Sequence, residues 1–170
     1  GGTMPGEGLP SGDGPYLEAL DTRRFDAGIV GQILIKQRYV LSTRAAVAQQ
    51  RHDHQFGETP ERDRHHTAFG EVTLRGAAGR HTWVVGAAVE REAYRAIDLP
   101  QFDFTYLVPG VFAQDDVTLA DWLSLSASVR VDHHNEYGTF ASPRVSALAR
   151  AGAWNARLSA GTGFFGPSAL

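Results

Sequence analysis

The sequence has 170 residues, a formal net charge of −3 and no cysteine, so a disulfide framework and thiolate metal sites are excluded. Lys and Arg together number 16 against 19 Asp and Glu, with no basic stripe along the chain to suggest nucleic acid. No apolar run approaches the ~18 residues of a membrane-spanning helix, which leaves open a crossing made by strands, whose individual signal is weak.

Residues 1–20 read as a loop, because glycine and proline crowd the first fifteen positions. They carry no charged, apolar, small-residue leader pattern. The chain opens at Gly1 and stops just after an apparent strand, so both ends are expected to be internal to a longer protein. Residues 21–36 turn strand-like around Gly28-Ile29-Val30 and Ile33-Leu34-Ile35. Residues 39–50 make a second strand candidate, although their alanines would also suit a helix. Lys36-Gln37-Arg38 leaves room only for a tight turn between them. Residues 51–66, charged and histidine-rich with Gly57 and Pro60, read as a long exposed loop.

Strands follow at 67–76, 81–95, 106–119, 122–133, 143–150 and 154–163. Tight turns near 78, 120 and 152 and longer loops at 96–105 and 134–141 separate them. The expected fold is all-β, an antiparallel up-and-down meander of about eight strands with short and long connections alternating.

Residues 123–132 show the pattern most clearly. Leu123, Leu125, Ala127, Val129 and Val131 fall on one face, and Ser124, Ser126, Ser128, Arg130 and Asp132 on the other. Elsewhere the apolar face is mostly Ala, Val and Leu, whereas a sandwich core interdigitates larger side chains. Trp83, Trp122 and Trp154 sit at the short turns, and Tyr94, Tyr106 and Tyr137 toward the longer loops. Such rings favour membrane–water interfaces, so the tryptophans are expected at a membrane interface. Arg130, Asp132, Arg144 and Arg157 on the polar face are expected to line a hydrated lumen. Asp115 departs from the pattern: it shares parity with Val111, Ala113 and Val117, so either it lies near an interface or a bulge shifts the register.

Val111-Phe112-Ala113-Gln114-Asp115-Asp116, Leu123-Ser124-Leu125 running into Arg130-Val131-Asp132, Ser142-Pro143-Arg144 and Gly161-Thr162-Gly163-Phe164 stand in order over the last third of the chain. This succession resembles the barrel of TonB-dependent outer-membrane receptors. Phe165-Gly166 stands where that family usually has Arg-Ala. The resemblance implies that residues 1–170 are part of a 22-stranded transmembrane β-barrel, without the plug domain and the remaining strands. It also implies a place in the outer membrane of a Gram-negative bacterium and uptake of a scarce nutrient such as a ferric siderophore. The partners implied are the lipid bilayer, the receptor's own plug and remaining barrel strands, the TonB complex through the missing N-terminal part, and a small-molecule ligand of unknown identity.

The chemistry-bearing residues are few. His52, His54, His65 and His66 share one stretch with Asp53, Glu58, Glu61 and Asp63, a donor set able to hold a transition metal, but at no recognised ligand spacing. The plainer reading of these histidines is a polar external loop. No nucleophile–base pattern and no phosphate-cradling glycine loop is present, so no catalytic residue and no cofactor is expected. Two alternatives stay open beside the receptor: a passive pore or adhesin barrel, and a soluble β-sheet carbohydrate-binding domain.

Overall fold

In a computed structural model of the protein, residues 2–6 and 16–164 are described. Nine strands follow one another: β1 (Gly2–Gly6), β2 (Tyr16–Ile35), β3 (Tyr39–Phe56), β4 (Thr59–Ala78), β5 (His81–Ala96), β6 (Phe104–Ala120), β7 (Leu123–His134), β8 (Gly138–Ala151) and β9 (Trp154–Gly161). They lie in the same order in one sheet, each beside its neighbours in sequence. Among the described residues the single helical piece is a 3-10 turn at Pro100–Phe102. The expected up-and-down meander is present, with nine strands instead of about eight.

Three stretches differ from the sequence reading. The expected loop over 1–20 contains β1, paired antiparallel with Tyr16–Leu20 of β2; residues 7–15 lie outside the described residues. The expected loop over 51–66 is almost entirely strand, with β3 and β4 joined by the two residues Gly57 and Glu58. Gly57 has φ of 58°, a left-handed conformation that suits glycine in so short a turn. The expected loop over 134–141 shrinks to a turn between His134 and Gly138. The 51–66 stretch lacks an apolar period because both of its faces are polar, and a hydropathy pattern cannot register such a strand.

The chain divides into two compact units. The larger comprises Ile29–Ala45, Phe69–Glu90 and Leu107–Leu170; the smaller comprises Gly1–Gly28, Ala46–Ala68 and Arg91–Tyr106. In the larger unit, β6 to β9 pair antiparallel and the register brings like faces together. One row runs Val117, Leu125, Ala147, Leu158. The adjacent row, on the opposite face, runs Asp116, Ser126, Ser146, Ser159. Among the described residues no second layer covers the apolar face: Trp154 is 82% exposed, Leu158 77% and Val145 57%. The buried apolar side chains among the described residues are only Ala88, Ala93 and Ala96.

Two glycines make room for rings. A Cβ on Gly76 would run into Trp83 and Tyr39, whose rings pack 5.9 Å apart. A Cβ on Gly86 would run into Phe112 and come within 2.8 Å of the Val72 carbonyl oxygen. A ring lying over a strand glycine restores the packing that the glycine forgoes.

Asp115 keeps its parity. The one irregularity in the β6–β7 register falls between Thr118 and Ala120, on the turn side of it, and Asp115 stands opposite Ala127 on the apolar face. There His81 is its partner, Nδ1 to Oδ2 at 2.6 Å, while Oδ1 is buried with no partner among the described residues.

Candidate functional site

The polar strand ends of the smaller unit carry its chemistry. Successive strand residues point to opposite faces, and 51–66 is sorted by that alternation into two kinds of charge. On one face His52 meets Asp63 at 3.3 Å and Gln50 at 2.5 Å. His54 meets Glu18 at 2.9 Å, with the Phe56 ring tilted against it at 3.8 Å. His65 meets Glu92 at 2.7 Å and sets its ring edge-on to Tyr94 at 6.1 Å. From Tyr94 a stack continues to Phe104 at 5.5 Å and on to Tyr106 at 4.5 Å.

The face is therefore a row of imidazole–carboxylate pairs ending in an aromatic ladder. The Tyr94 hydroxyl is able to donate a hydrogen bond. Asp63 Oδ1 is buried with no hydrogen-bond partner among the described residues. Together these groups offer acceptors, hydrogen-bonding imidazoles and flat apolar surface to a ligand that presents donors and a ring.

The four candidate histidines do not converge. His52, His54 and His65 each take a different carboxylate. His66 has the other parity on β4, facing away from His65. Among the described residues no group of three or more metal-capable side chains is assembled. Glu92 and Phe104 escaped the sequence reading. The strand character of 61–65 does have a sequence signal, the alternation Glu61-Arg62-Asp63-Arg64-His65, a period of two in charge instead of hydropathy.

The other expected site residues lie in the larger unit. Arg144 stands opposite Ser128, Arg157 opposite Leu148, Arg130 opposite Ser142 and Asp132 opposite Phe140, so all four share the serine-bearing face. Arg130 and Asp132 are ion-paired at 2.7 Å, and the Arg130 guanidinium lies 5.7 Å from the Phe112 ring centroid. A groove of about 550 Å³ on this face is lined by Ser124, Ser126, Ser128, Arg144 and Arg157 among others. Trp83 packs on Tyr39, and Trp154 stands opposite Ala151. Trp122 lies within its turn, before β7 begins.

A sequential antiparallel meander with one uncovered apolar face and one polar, hydroxyl-rich face belongs to the class of β-barrel walls. Residues 11–169 match the sequence family described as TonB dependent receptor-like, beta-barrel, and the chain belongs to that family. Its strands are consistent with part of that family's 22-stranded barrel. The fold is similar to the crystal structure of the siderophore receptor PirA from Pseudomonas aeruginosa, with a TM-score of 0.79 at 16% identity over 89% of this chain. The chain covers 28% of that receptor, and at this identity the likeness is one of fold. No curated protein sequence matches the chain. The family and the structural neighbour are receptors, not enzymes.

Proposed function

We propose that this chain is part of the wall of an outer-membrane receptor that takes up a scarce nutrient, such as a ferric siderophore, with energy delivered by the TonB complex. The observation that carries the reading is the uncovered apolar face. A soluble sheet with Trp154, Leu158 and Val145 this exposed would lack a core, whereas lipid is a sufficient partner for them. Strand length supports it. β2 and β4 have 20 residues each, about twice the ~9–11 that cross a bilayer.

In this reading Arg130, Asp132, Arg144 and Arg157 line the lumen beside the plug domain. Trp83, Trp122 and Trp154 mark a membrane interface at the tight turns. The imidazole–carboxylate and aromatic face belongs to the ligand entry, where the stacked Tyr94, Phe104 and Tyr106 would hold a flat, donor-bearing ligand. The remaining strands, the plug and TonB are the partners that this reading implies.

The test is growth on a scarce iron source with the complete receptor, with and without TonB, together with fractionation of the cell envelope. Outer-membrane placement with TonB-dependent growth is the expected result. Outer-membrane placement with growth independent of TonB would favour a passive pore, and recovery as a soluble protein would sink the membrane reading. Within the site, Tyr94→Ala is expected to weaken ligand binding about tenfold, from loss of one stacked ring. Joint replacement of His52 and His54 by Ala is also expected to weaken it; unchanged affinity would remove these histidines from the site.

A further inference from the structure

The second face of the smaller unit carries a row of arginines. Gly57 N–H donates to the Leu17 carbonyl at 2.9 Å, the β3–β4 hairpin turns on Gly57 and Glu58, and Ile97 N–H donates to the Arg62 carbonyl at 2.8 Å. Counting along the antiparallel strands from these points sets Arg23 opposite Arg51, Arg51 opposite Arg64 and Arg64 opposite Arg95. The same count sets His52 opposite Asp63 and His65 opposite Tyr94, as their side-chain contacts show independently. One arginine from each of β2, β3, β4 and β5 thus stands in line across the sheet, on neighbouring strands about 4.8 Å apart. All four are exposed.

Like charges directly opposite on one face repel. Asp21 offsets Arg23 at 3.5 Å and Asp53 offsets Arg51 at 3.0 Å. Arg64 and Arg95, which face each other, have no carboxylate at salt-bridge distance among the described residues. The flanking rows are unlike each other. On one side, by the same count, Phe25 and Ala93 stand at the two ends of a row whose middle is Gln49 and His66. The next row out is Ala27, Val47 and Ala68, closed on β5 by Arg91. On the other side of the arginines lie Asp21, Asp53 and Arg62. Along β2, β3 and β4 the order is therefore apolar, then a mixed row of apolar and uncharged polar side chains, then cationic, then mixed charge.

We propose that this arginine row binds the phosphate groups of membrane-lipid headgroups, fixing the depth at which the wall sits in the bilayer. Phe25, Ala27, Val47 and Ala68 select a lipid over a soluble anion, since acyl chains lie on that side. Gln49 and His66 stand between the two, where the bilayer passes from acyl chain to headgroup and polar side chains are tolerated. Guanidinium forks take phosphate oxygens two at a time, and phosphates between Arg64 and Arg95 replace the missing carboxylates. The inference rests on the membrane reading above.

The test uses the complete receptor in mixed micelles carrying phosphatidic acid or phosphatidylcholine of equal chain length, with retained lipid counted by native mass spectrometry. Wild type should retain phosphatidic acid preferentially. Arg64→Gln with Arg95→Gln should weaken that retention about 30-fold and leave phosphatidylcholine unchanged. Arg24→Gln, on the opposite face where Arg24 pairs with Asp26 at 2.7 Å, should change neither. Equal retention of the two lipids, an unaffected double variant, or an equal loss in Arg24→Gln would overturn the proposal. So would displacement of phosphatidic acid by millimolar inorganic phosphate, which marks a plain anion site, or by an acidic peptide, which marks a protein-docking face. Envelope fractionation of the same protein reports separately on the membrane reading, whereas the micelle comparison reports on the arginine row.

Discussion

Gly86→Ala tests how tightly the polar face of the larger unit is packed. The added methyl group meets two obstacles. The Val72 carbonyl oxygen, 2.8 Å from the Cβ position, is backbone and cannot swing aside. The Phe112 ring lies over the same position, and moving it breaks its contact with the Arg130 guanidinium at 5.7 Å. Overpacking costs about 1–3 kcal/mol and the cation–π contact about 0.5–1 kcal/mol, together about 1.5–4 kcal/mol. Urea unfolding of the complete receptor in detergent micelles, followed by tryptophan fluorescence, measures the loss. Repeating it in a Phe112→Ala background separates the obstacles. The ring's share should vanish, giving a coupling of about 1 kcal/mol or more, while the carbonyl's share remains. A loss below about 0.5 kcal/mol in the wild-type background would show that the strand backbone relaxes freely and would refute the packing argument.

Two further outcomes follow from the ion pairs. On the apolar face, His81→Leu leaves Asp115 facing that side alone and should destabilise by about 1 kcal/mol, whereas His81→Leu combined with Asp115→Leu should restore or exceed wild-type stability, read by the same urea titration. At the strand ends of the smaller unit, the Arg62 guanidinium holds the Asp98 carboxyl below its usual range, chiefly by its side-chain hydrogen bond, at 2.7 Å. A lowered carboxyl adds stability above its unfolded pKa and loses it as pH falls through the lowered folded value. Amide exchange in residues 97–103 should therefore accelerate below about pH 4. Asp98→Asn should exchange faster already at neutral pH, with a smaller acid-dependent change; an acid response equal to wild type would detach it from this pair.

The sequence by itself determined the strand periodicity and the separation of faces over 67–163. An apolar–polar period of two survives in Leu123 to Asp132 whatever surrounds it, because lipid or core demands it of one face. It also determined the tight turns, since Lys36-Gln37-Arg38, Gly79-Arg80 and Gly152-Ala153 leave the chain no room for anything longer. The parity of Asp115 was legible too, but its partner was not: His81 lies 34 positions away.

What only the tertiary structure decided is pairing across strands. The 51–66 stretch reads as a loop because neither of its faces is apolar, and its strand character rests on backbone hydrogen bonds to neighbours that composition does not name. The histidines within it invited a metal, and separate acids on other strands took them one by one. The arginine row is the sharpest case. In the sequence Arg23, Arg51, Arg64 and Arg95 are unrelated positions in a chain of net charge −3. Register alone brings them into line, and register follows from how many residues each turn spends between strands.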